Sequence, residues 1–337
     1  HQAPSVGGER GILTLEHQNF TGNGDILTLR YGRSDGLNPL LDIRYALPVT
    51  ARDTTVALQY RRNAFVVVEE PFEDLEIESK SDIYTIAVRH PVYRTLNTEV
   101  ALELTGERLS STTLLLGERF TLSPGAHNGE SVVVALRATQ EWVHRTQHAV
   151  LAARSRFTAG LDALDSTVHN DDRPDSEFFA WLGQFQWVQR LGVLDSYTIF
   201  RSDLQLANDS LLTLEQVAVG GRFSVRGYRE NTLLRDNAFL ASVEVRVPLV
   251  RKSRWADYLE VAPFVDYGRG WNTKPPGDPL DLTSVGIGLR WALTIASPGP
   301  FRPSLEVYWG HPLRDVKTSG KDLQDKGIHL QFVFAVF

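Results

Sequence analysis

The sequence predicts an all-β protein, a transmembrane antiparallel β-barrel of the 16-strand type, from three observations. Segments that alternate apolar and polar residues recur along the chain with no long helical pattern between them. The connections between these segments alternate between short and long. The face opposite the apolar one mixes Ser, Thr, Gln, Gly, Glu and Arg, which suits a water-filled lumen better than the charged exterior of a soluble sandwich.

The amino-acid composition excludes several classes of function and structure. The 337 residues carry a net charge of -6, which argues against general nucleic-acid binding because phosphate neutralisation needs a positive excess. The chain has no Cys, so disulfides and thiolate chemistry are excluded. It also has no Met, and we expect a fragment of a longer product that forms one barrel domain over residues 1–337. No run reaches the ~18 to 20 apolar residues of a membrane-spanning helix.

About 15 segments read as strands, most of them near the ~10 residues that cross a bilayer at a tilt. In each one, every second residue is apolar, and the residues between are small or polar. The alternation is clearest, in chain order, at residues 27–31, 41–47, 56–60, 84–88, 100–104, 179–187, 241–247, 285–291 and 328–336.

The connections predict which end of the barrel faces which side of the membrane. Short connections are expected near Thr50, Thr95, Arg145, Leu191 and Arg251, where periplasmic turns would lie. Long connections, expected to be external loops, are predicted at residues 69–80, 108–130, 162–177, 208–236, 271–280 and 313–326. Tryptophans at or near strand ends fit an aromatic girdle: Trp142, Trp181, Trp187, Trp271, Trp291 and Trp309.

The last segment, GIHLQFVFAVF, ends in an aromatic residue, Phe337. A terminal aromatic on the last strand resembles the assembly signal of outer-membrane barrels, which would make the barrel-assembly machinery a partner. The apolar face of this segment lies one residue out of register with Phe337, which departs from the usual signal.

The stretch GGRFSVRGYREN, residues 220–231, allows three interpretations. It lacks the spacing of a phosphate-binding loop. It could be a solvated external loop. If it folds into a polar barrel instead, Arg226 needs a carboxylate, because a guanidinium removed from water without a partner is costly. Glu244 and Asp266 lie on the polar faces of predicted strands and are the candidate partners.

The glycines on either side of this pairing have a predicted role. Gly227 and Gly268 would let the backbones approach closely, so that an arginine fork, which lysine cannot reproduce, meets a fixed carboxylate.

The paired motifs carry a family resemblance. Val225, Arg226, Gly227 and Tyr228 form a VRGY sequence, and Phe264, Asp266 and Gly268 form F-x-D-x-G two strands later. With NFTGNGDILTLRYGRS and FVDYGRGWN, they resemble the two-partner secretion transporters, the TpsB hemolysin secretion and activation branch of the outer-membrane protein-translocating superfamily.

The resemblance implies a bacterial outer-membrane pore of 16 strands that moves a secreted partner protein across the membrane. It implies a monomer without ATP or a bound cofactor. The loop at about 208–236 would fold into the lumen as a latch or gate, with Arg226 against Asp266 and Glu244 as a second acceptor. Two departures matter: no POTRA-like region precedes residue 11, and the first family strand is not recognisable.

Other functions are weighed against this one. A barrel-assembly factor of the same superfamily would share Arg226 and Asp266, whereas a passive porin predicts no contact between them. The pair could also serve barrel assembly only. Enzyme activity is not expected, because the histidines are scattered and no catalytic motif occurs. The acidic residues 69–82 lack the spacing of a calcium loop, so no metal is expected.

Overall fold

The computed structural model describes residues 9–68, 75–274, 280–295, 301–316 and 322–336. Nearly all regular structure in these ranges is β-strand, with a 3-10 turn at Leu323–Lys326. The strands are β1 Arg10–Gln18, β2 Ile26–Ser34, β3 Leu37–Pro48, β4 Thr55–Val66, β5 Glu78–Arg94, β6 Thr98–Leu115, β7 Glu118–Arg119, β8 Glu130–Arg145, β9 Ala149–Leu161, β10 Phe179–Arg190, β11 Tyr197–Ala207, β12 Val217–Val219, β13 Leu233–Arg235, β14 Asn237–Arg251, β15 Tyr258–Trp271, β16 Leu280–Ala292, β17 Phe301–Pro312 and β18 Ile328–Val336.

The long strands and the short β7 form one 16-stranded sheet, in which each long strand pairs with the long strands next to it along the chain. The pairing is antiparallel throughout. The two-residue β7 attaches to β6, and β12 and β13 make a separate hairpin. β1 and β18 are the two edges, and no pairing joins them in the described ranges. The all-β antiparallel prediction, with about 15 consecutive strands, is therefore confirmed.

In a water-soluble protein, apolar side chains are buried and charged ones are exposed, and the two faces of this sheet show the opposite. Tyr84 and Leu104 are 52% exposed, although they lie in the middle of long strands. On the opposite face Glu244 and Asp266 are buried. Apolar residues outward and polar residues inward are the arrangement that lipid imposes on spanning strands. We call these the apolar face and the polar face.

Several strands are longer than predicted. β5, β6 and β8 have 17, 18 and 16 residues. The region 108–130, predicted to be a loop, contains the end of β6 through Leu115, the short β7 and the start of β8. The apolar alternation ends near Gly106, but Ser and Thr residues continue the ladder beyond it, because strand pairing does not require apolar side chains. The change from apolar to polar side chains therefore marks the edge of the apolar face, and the strand itself continues beyond it.

The connections divide as predicted. Short ones at residues 49–54, 95–97, 146–148, 191–196 and 252–257 lie at one end of the sheet, and the long ones lie at the other. The connection at 35–36 departs from this division, because it is tight but lies at the end of the sheet that carries the long connections. No helix in the described ranges is long and apolar enough to span a membrane. Phe337 lies outside the described residues, so its predicted role as an assembly signal stays a prediction.

Candidate functional site, a buried arginine and carboxylate cluster

The connection between β11 and β14, residues 208–236, supplies the central arginine of the site, and we call it the Arg226 loop. Its hairpin of β12 and β13 holds the turn that contains Val225 and Tyr228. These two side chains are buried, and they belong to an apolar cluster that includes Leu282 of β16. The apolar cluster fixes the loop against the polar face, which brings Arg226 to the carboxylates of β14 and β15.

Arg226 makes a two-pronged contact with Asp266. Its Nε donates to Oδ2 and its Nη2 to Oδ1, both at 2.8 Å. The backbone amide of Arg226 also donates to Oδ2, at 3.0 Å. Nη1 donates to Glu244, and Nη2 reaches the hydroxyl of Ser242 at 3.2 Å. A planar guanidinium with donors in a fixed fork suits this geometry, and a lysine ammonium does not.

The cluster is almost dry. The Arg226 side chain is 6% exposed, and the side chains of Glu244 and Asp266 are 0% exposed. Burial by itself would lower the pKa of Arg226. The hydrogen bonds and charges of Asp266 and Glu244 outweigh burial and raise this pKa above its ordinary value. The guanidinium therefore stays charged, and it is held by two carboxylates.

Aromatic rings enclose the arginine. Its Cζ lies 3.6 Å from the centre of the Phe264 ring and 4.9 Å from that of Tyr308. Cation–π attraction of this kind contributes up to ~2 kcal/mol when the cation is desolvated. Phe264 belongs to the predicted strand motif, so the motif supplies both the carboxylate and the stacking ring.

Glycines make the close approach possible. Gly227 has a φ of +93°, which favours glycine, and a Cβ there would lie 2.9 Å from the carbonyl carbon and oxygen of Gly310 on β17. A Cβ at Gly268 would lie 2.7 Å from Val219 and Val225 of the loop. Both predicted glycines therefore lie where the loop contacts the sheet.

Neighbouring residues hold the tip of the loop on β16 to β18. The Tyr228 hydroxyl donates to the carbonyl of Thr283 at 2.9 Å. The amide of Gly227 donates to Nε2 of His329 at 3.2 Å. Arg229 pairs with Asp325 in the 3-10 turn. Every residue of the VRGY sequence thus makes a contact with the sheet or packs in the apolar cluster.

Some contacts were not predicted. Nε of Arg246 donates to Oε1 of Glu244 at 2.5 Å, and the hydroxyl of Tyr308 donates to the same oxygen at 3.4 Å. Glu244 therefore accepts from more donors than Arg226 alone. Polar-face positions could have indicated Arg246, which lies two residues from Glu244. At the start of the Arg226 loop, Glu215 pairs with Arg137 of β8. No motif marks that pair, because 78 residues separate its members.

The described residues contain no group of three His, Cys, Asp or Glu side chains arranged to hold a metal ion. Residues 69–74 of the acidic stretch lie outside the described ranges. The site is instead a set of ion pairs between a loop and a sheet, and it offers structural chemistry rather than a reacting group.

An antiparallel sheet with an exposed apolar face and a buried, charged polar face defines a protein of the outer-membrane β-barrel class. Comparison with protein-family models makes this specific. Residues 3–291 match the haemolysin secretion/activation protein family ShlB/FhaC/HecB, and the chain belongs to that family. No curated protein matches the sequence.

Solved structures share the fold. CdiB from Escherichia coli has a TM-score of 0.77 at 17% identity, over 99% of this chain and 61% of its own. CdiB from Acinetobacter baumannii has a TM-score of 0.68 at 15% identity, and the match covers 97% of this chain and 56% of the CdiB chain. BamA from Haemophilus ducreyi lacking POTRA domains 1–3 has a TM-score of 0.66 at 16% identity, and the match covers 97% of this chain and 67% of the BamA chain. The chain thus spans about three fifths of the CdiB chains.

Family membership confirms two predictions. The ShlB/FhaC/HecB family is one of bacterial outer-membrane proteins, so the predicted location is confirmed. It is a family of protein-translocation channels rather than enzymes, which agrees with the scattered histidines noted in the sequence.

Proposed function

We propose that the protein is the outer-membrane pore of a two-partner secretion system and that the Arg226 loop is its latch. In this proposal the sheet closes into a barrel domain around a water-filled lumen, and an unfolded exoprotein passes through it. The lipid bilayer contacts the apolar face. The observation that carries the latch is the buried contact of Arg226 with Asp266 and Glu244.

The reach of the loop supports curvature of the sheet around it. Glu215 contacts Arg137 of β8, and Gly227 contacts His329 of β18. In a flat sheet, eight strand spacings would separate these strands by ~38 Å. Twelve fully extended residues span only ~40 Å, and this segment contains a hairpin strand and turns at Gly220 and Gly221. A sheet curled around the loop accommodates both contacts.

The charge arrangement supports reversible attachment. Ion pairs join the loop to the sheet through side chains that water can solvate once they separate. An exoprotein segment in the lumen could therefore replace the ion pairs of the loop, and it would also have to cover the apolar cluster around Val225 and Leu282. A passive porin needs no such contact between Arg226 and Asp266.

The alternative is a barrel-assembly factor, and the likeness to BamA is the observation that favours it. An assembly factor of the same superfamily is expected to share Arg226 and Asp266, so the cluster does not separate the two functions. The family match to secretion and activation proteins favours secretion.

The decisive experiment co-expresses the full-length protein with its exoprotein and measures exoprotein in the medium and in the periplasm. Arg226→Ala and Asp266→Asn are compared with Arg235→Ala, a loop arginine whose hydrogen bond goes to the neighbouring carbonyl of Leu234. We expect the first two variants to alter secretion and single-channel conductance, and Arg235→Ala to match the wild type.

Two results would count against the proposal. If the wild-type protein left the exoprotein in the periplasm but restored porin insertion in cells depleted of their assembly machinery, the assembly function would replace secretion. If secretion occurred but Arg226→Ala and Asp266→Asn changed neither secretion nor conductance, the pair would serve assembly only and the latch would be wrong.

A further inference from the structure

We infer that Glu215 and Arg137 form a second anchor of the Arg226 loop, which holds the start of the loop on β8 independently of the Arg226 cluster. The inference rests on the proposed function, because an anchor matters only if the loop moves. It assigns a positioning role to two residues that no sequence motif marks.

The contact is as specific as the one at Arg226. Nη2 and Nη1 of Arg137 donate to the two carboxylate oxygens of Glu215, at 2.6 and 3.0 Å. Nε of Arg137 donates to Glu107 of β6 at 2.7 Å, and Nη1 also reaches Thr158 of β9 at 3.2 Å. Strand partners thus orient Arg137, and its remaining edge faces the loop. Side-chain exposure is 7% for Arg137 and 8% for Glu215.

Apolar packing reinforces this contact. Leu211 and Leu212 of the loop are 1% and 0% exposed. They belong to a cluster with residues of β5, β6, β8 and β10, whose members on the strands are Ile83, Leu109, Val133, Ala135 and Ala180. These strand residues lie on the polar face of the sheet, but they are themselves apolar, and Leu211 and Leu212 cover them. A charged pair beside an apolar contact defines both the position and the orientation of the segment.

The base of the loop is tied separately. Asp236, where the loop ends, accepts from the amide of Leu211 at 3.0 Å, from the side chain of Gln216 at 3.0 Å and from the amide of Thr273 at 2.9 Å. Gln205 of β11 donates to the carbonyl of Glu215 at 3.0 Å. The first part of the loop, residues 211–216, therefore has contacts that remain when the tip leaves Asp266.

Two separate anchors imply a two-step release. The tip, residues 220–231, is held on β14 to β18, whereas residues 211–216 are held on β8 and its neighbours. Losing the contacts of Arg226 and of its neighbours in the tip frees the tip but keeps the loop tethered across the lumen. Full opening requires the Glu215 contact to break as well. Partial opening and full opening would then give two conductance levels.

The test uses the absence of cysteine in the chain, which lets single cysteines be introduced for spin labelling. Thr213→Cys reports on the start of the loop and Phe223→Cys on its tip. Each is paired with Gln147→Cys in a short connection, and all three positions are exposed. Pulsed electron paramagnetic resonance then measures each distance distribution in the purified full-length protein.

The main variant is Glu215→Gln, which keeps the size of the side chain and removes its charge. Glu177→Gln, at an exposed position in another long connection, is the matched control. Loss of a charged hydrogen-bonded pair predicts that the released population of the Thr213 label increases about 10-fold to 100-fold. The Phe223 distribution should stay that of the wild type, and the control should change neither.

A charge exchange provides the reverse test. Arg137→Glu and Glu215→Arg are combined in a Glu107→Gln background, because Glu107 would otherwise repel a carboxylate at position 137. The exchange should restore the wild-type Thr213 distribution that Glu215→Arg alone destroys. Restoration would support the anchor, and failure to restore, with the protein folded in heat-modifiability assays, would contradict it.

The inference and the proposed function fail differently. If Glu215→Gln left the Thr213 distribution unchanged, or if both labels always moved together, there would be no second anchor. The latch would survive that result as long as Arg226→Ala changes secretion and conductance. If Arg226→Ala changed neither, the latch would fall even with the Glu215 contact intact.

Discussion

Replacing Arg226 tests the latch most directly. Removal of one partner from a buried ion pair typically costs ~3 to 5 kcal/mol, because the other charge stays buried. Here the low end applies to Arg226→Ala. Glu244 keeps its contact with Arg246, and Asp266 keeps Ser242 and the amide at position 226. A loss of ~3 kcal/mol lowers the docking equilibrium of the loop about 150-fold.

Arg226→Lys sharpens the test. Lysine keeps the positive charge but cannot donate to Asp266 along two parallel directions while it also reaches Glu244. We expect a smaller loss, of ~1.5 to 3 kcal/mol, from the hydrogen bonds to charged groups that disappear. The two variants together separate the contribution of charge from that of geometry.

Docking is measured from the distance between spin labels at Phe223→Cys and Gln147→Cys. Phe223 is 77% exposed, so a label there should not disturb the cluster. The expected order of docked population is wild type, then Arg226→Lys, then Arg226→Ala. If Arg226→Ala kept the wild-type distance distribution, the loop would be held by its apolar contacts, and the assignment of the cluster as a latch would be wrong.

Three further predictions follow from the same contacts. Gly227→Ala should undock the tip, because the added Cβ would lie 2.9 Å from Gly310. The control Gly192→Ala also has a positive φ, of +72°, but a Cβ there would have nothing within 4 Å, so it should cost backbone strain alone. Distances between spin labels check both variants. Tyr228→Phe removes a hydroxyl whose single proton lies within reach of the carbonyls of Thr283 and Arg314. It should weaken docking by ~1 to 3 kcal/mol, measured as faster proteolysis of the loop. Burial raises the pKa of Glu230 above its ordinary value of 4.5, so its contribution to docking is greatest below that value and falls as pH rises through the raised pKa. Docking of Glu230→Gln, measured from about pH 4 to 8, where Glu and His side chains titrate, should therefore exceed that of the wild type by a margin that grows as pH rises. A constant difference would contradict this.

Much of the fold follows from local pattern. Alternation in β14, β15 and β16 placed Val243, Val265 and Val285 on one face and Ser242, Asp266 and Ser284 on the other, and the pairing register agrees. The period of two in a strand makes this inference independent of distant residues. The ends of β5, β6 and β8 were missed, because backbone pairing continues after the apolar alternation stops.

The site was predictable where chemistry demanded a partner. A buried guanidinium needs carboxylates, and Asp266 and Glu244 were the acidic residues on the polar faces of nearby strands. Arg137 and Glu215 carry the same chemistry but lie far apart in the chain. Their meeting depends on how the loop crosses the sheet, which the sequence pattern alone does not determine.

Under the proposed function, reversible docking explains the composition of the cluster better than stability does. Well-packed apolar residues of similar volume are often as stabilising as a buried ion pair or more so. An apolar plug would, however, expose its contact surface to water each time it left the polar face, at about 25 cal/mol for each Å². Asp266, Glu244 and Arg226 instead recover hydration when they separate, which returns part of the cost of undocking. Under the proposed function, this lets one loop be firmly placed at rest and still give way to a passing chain.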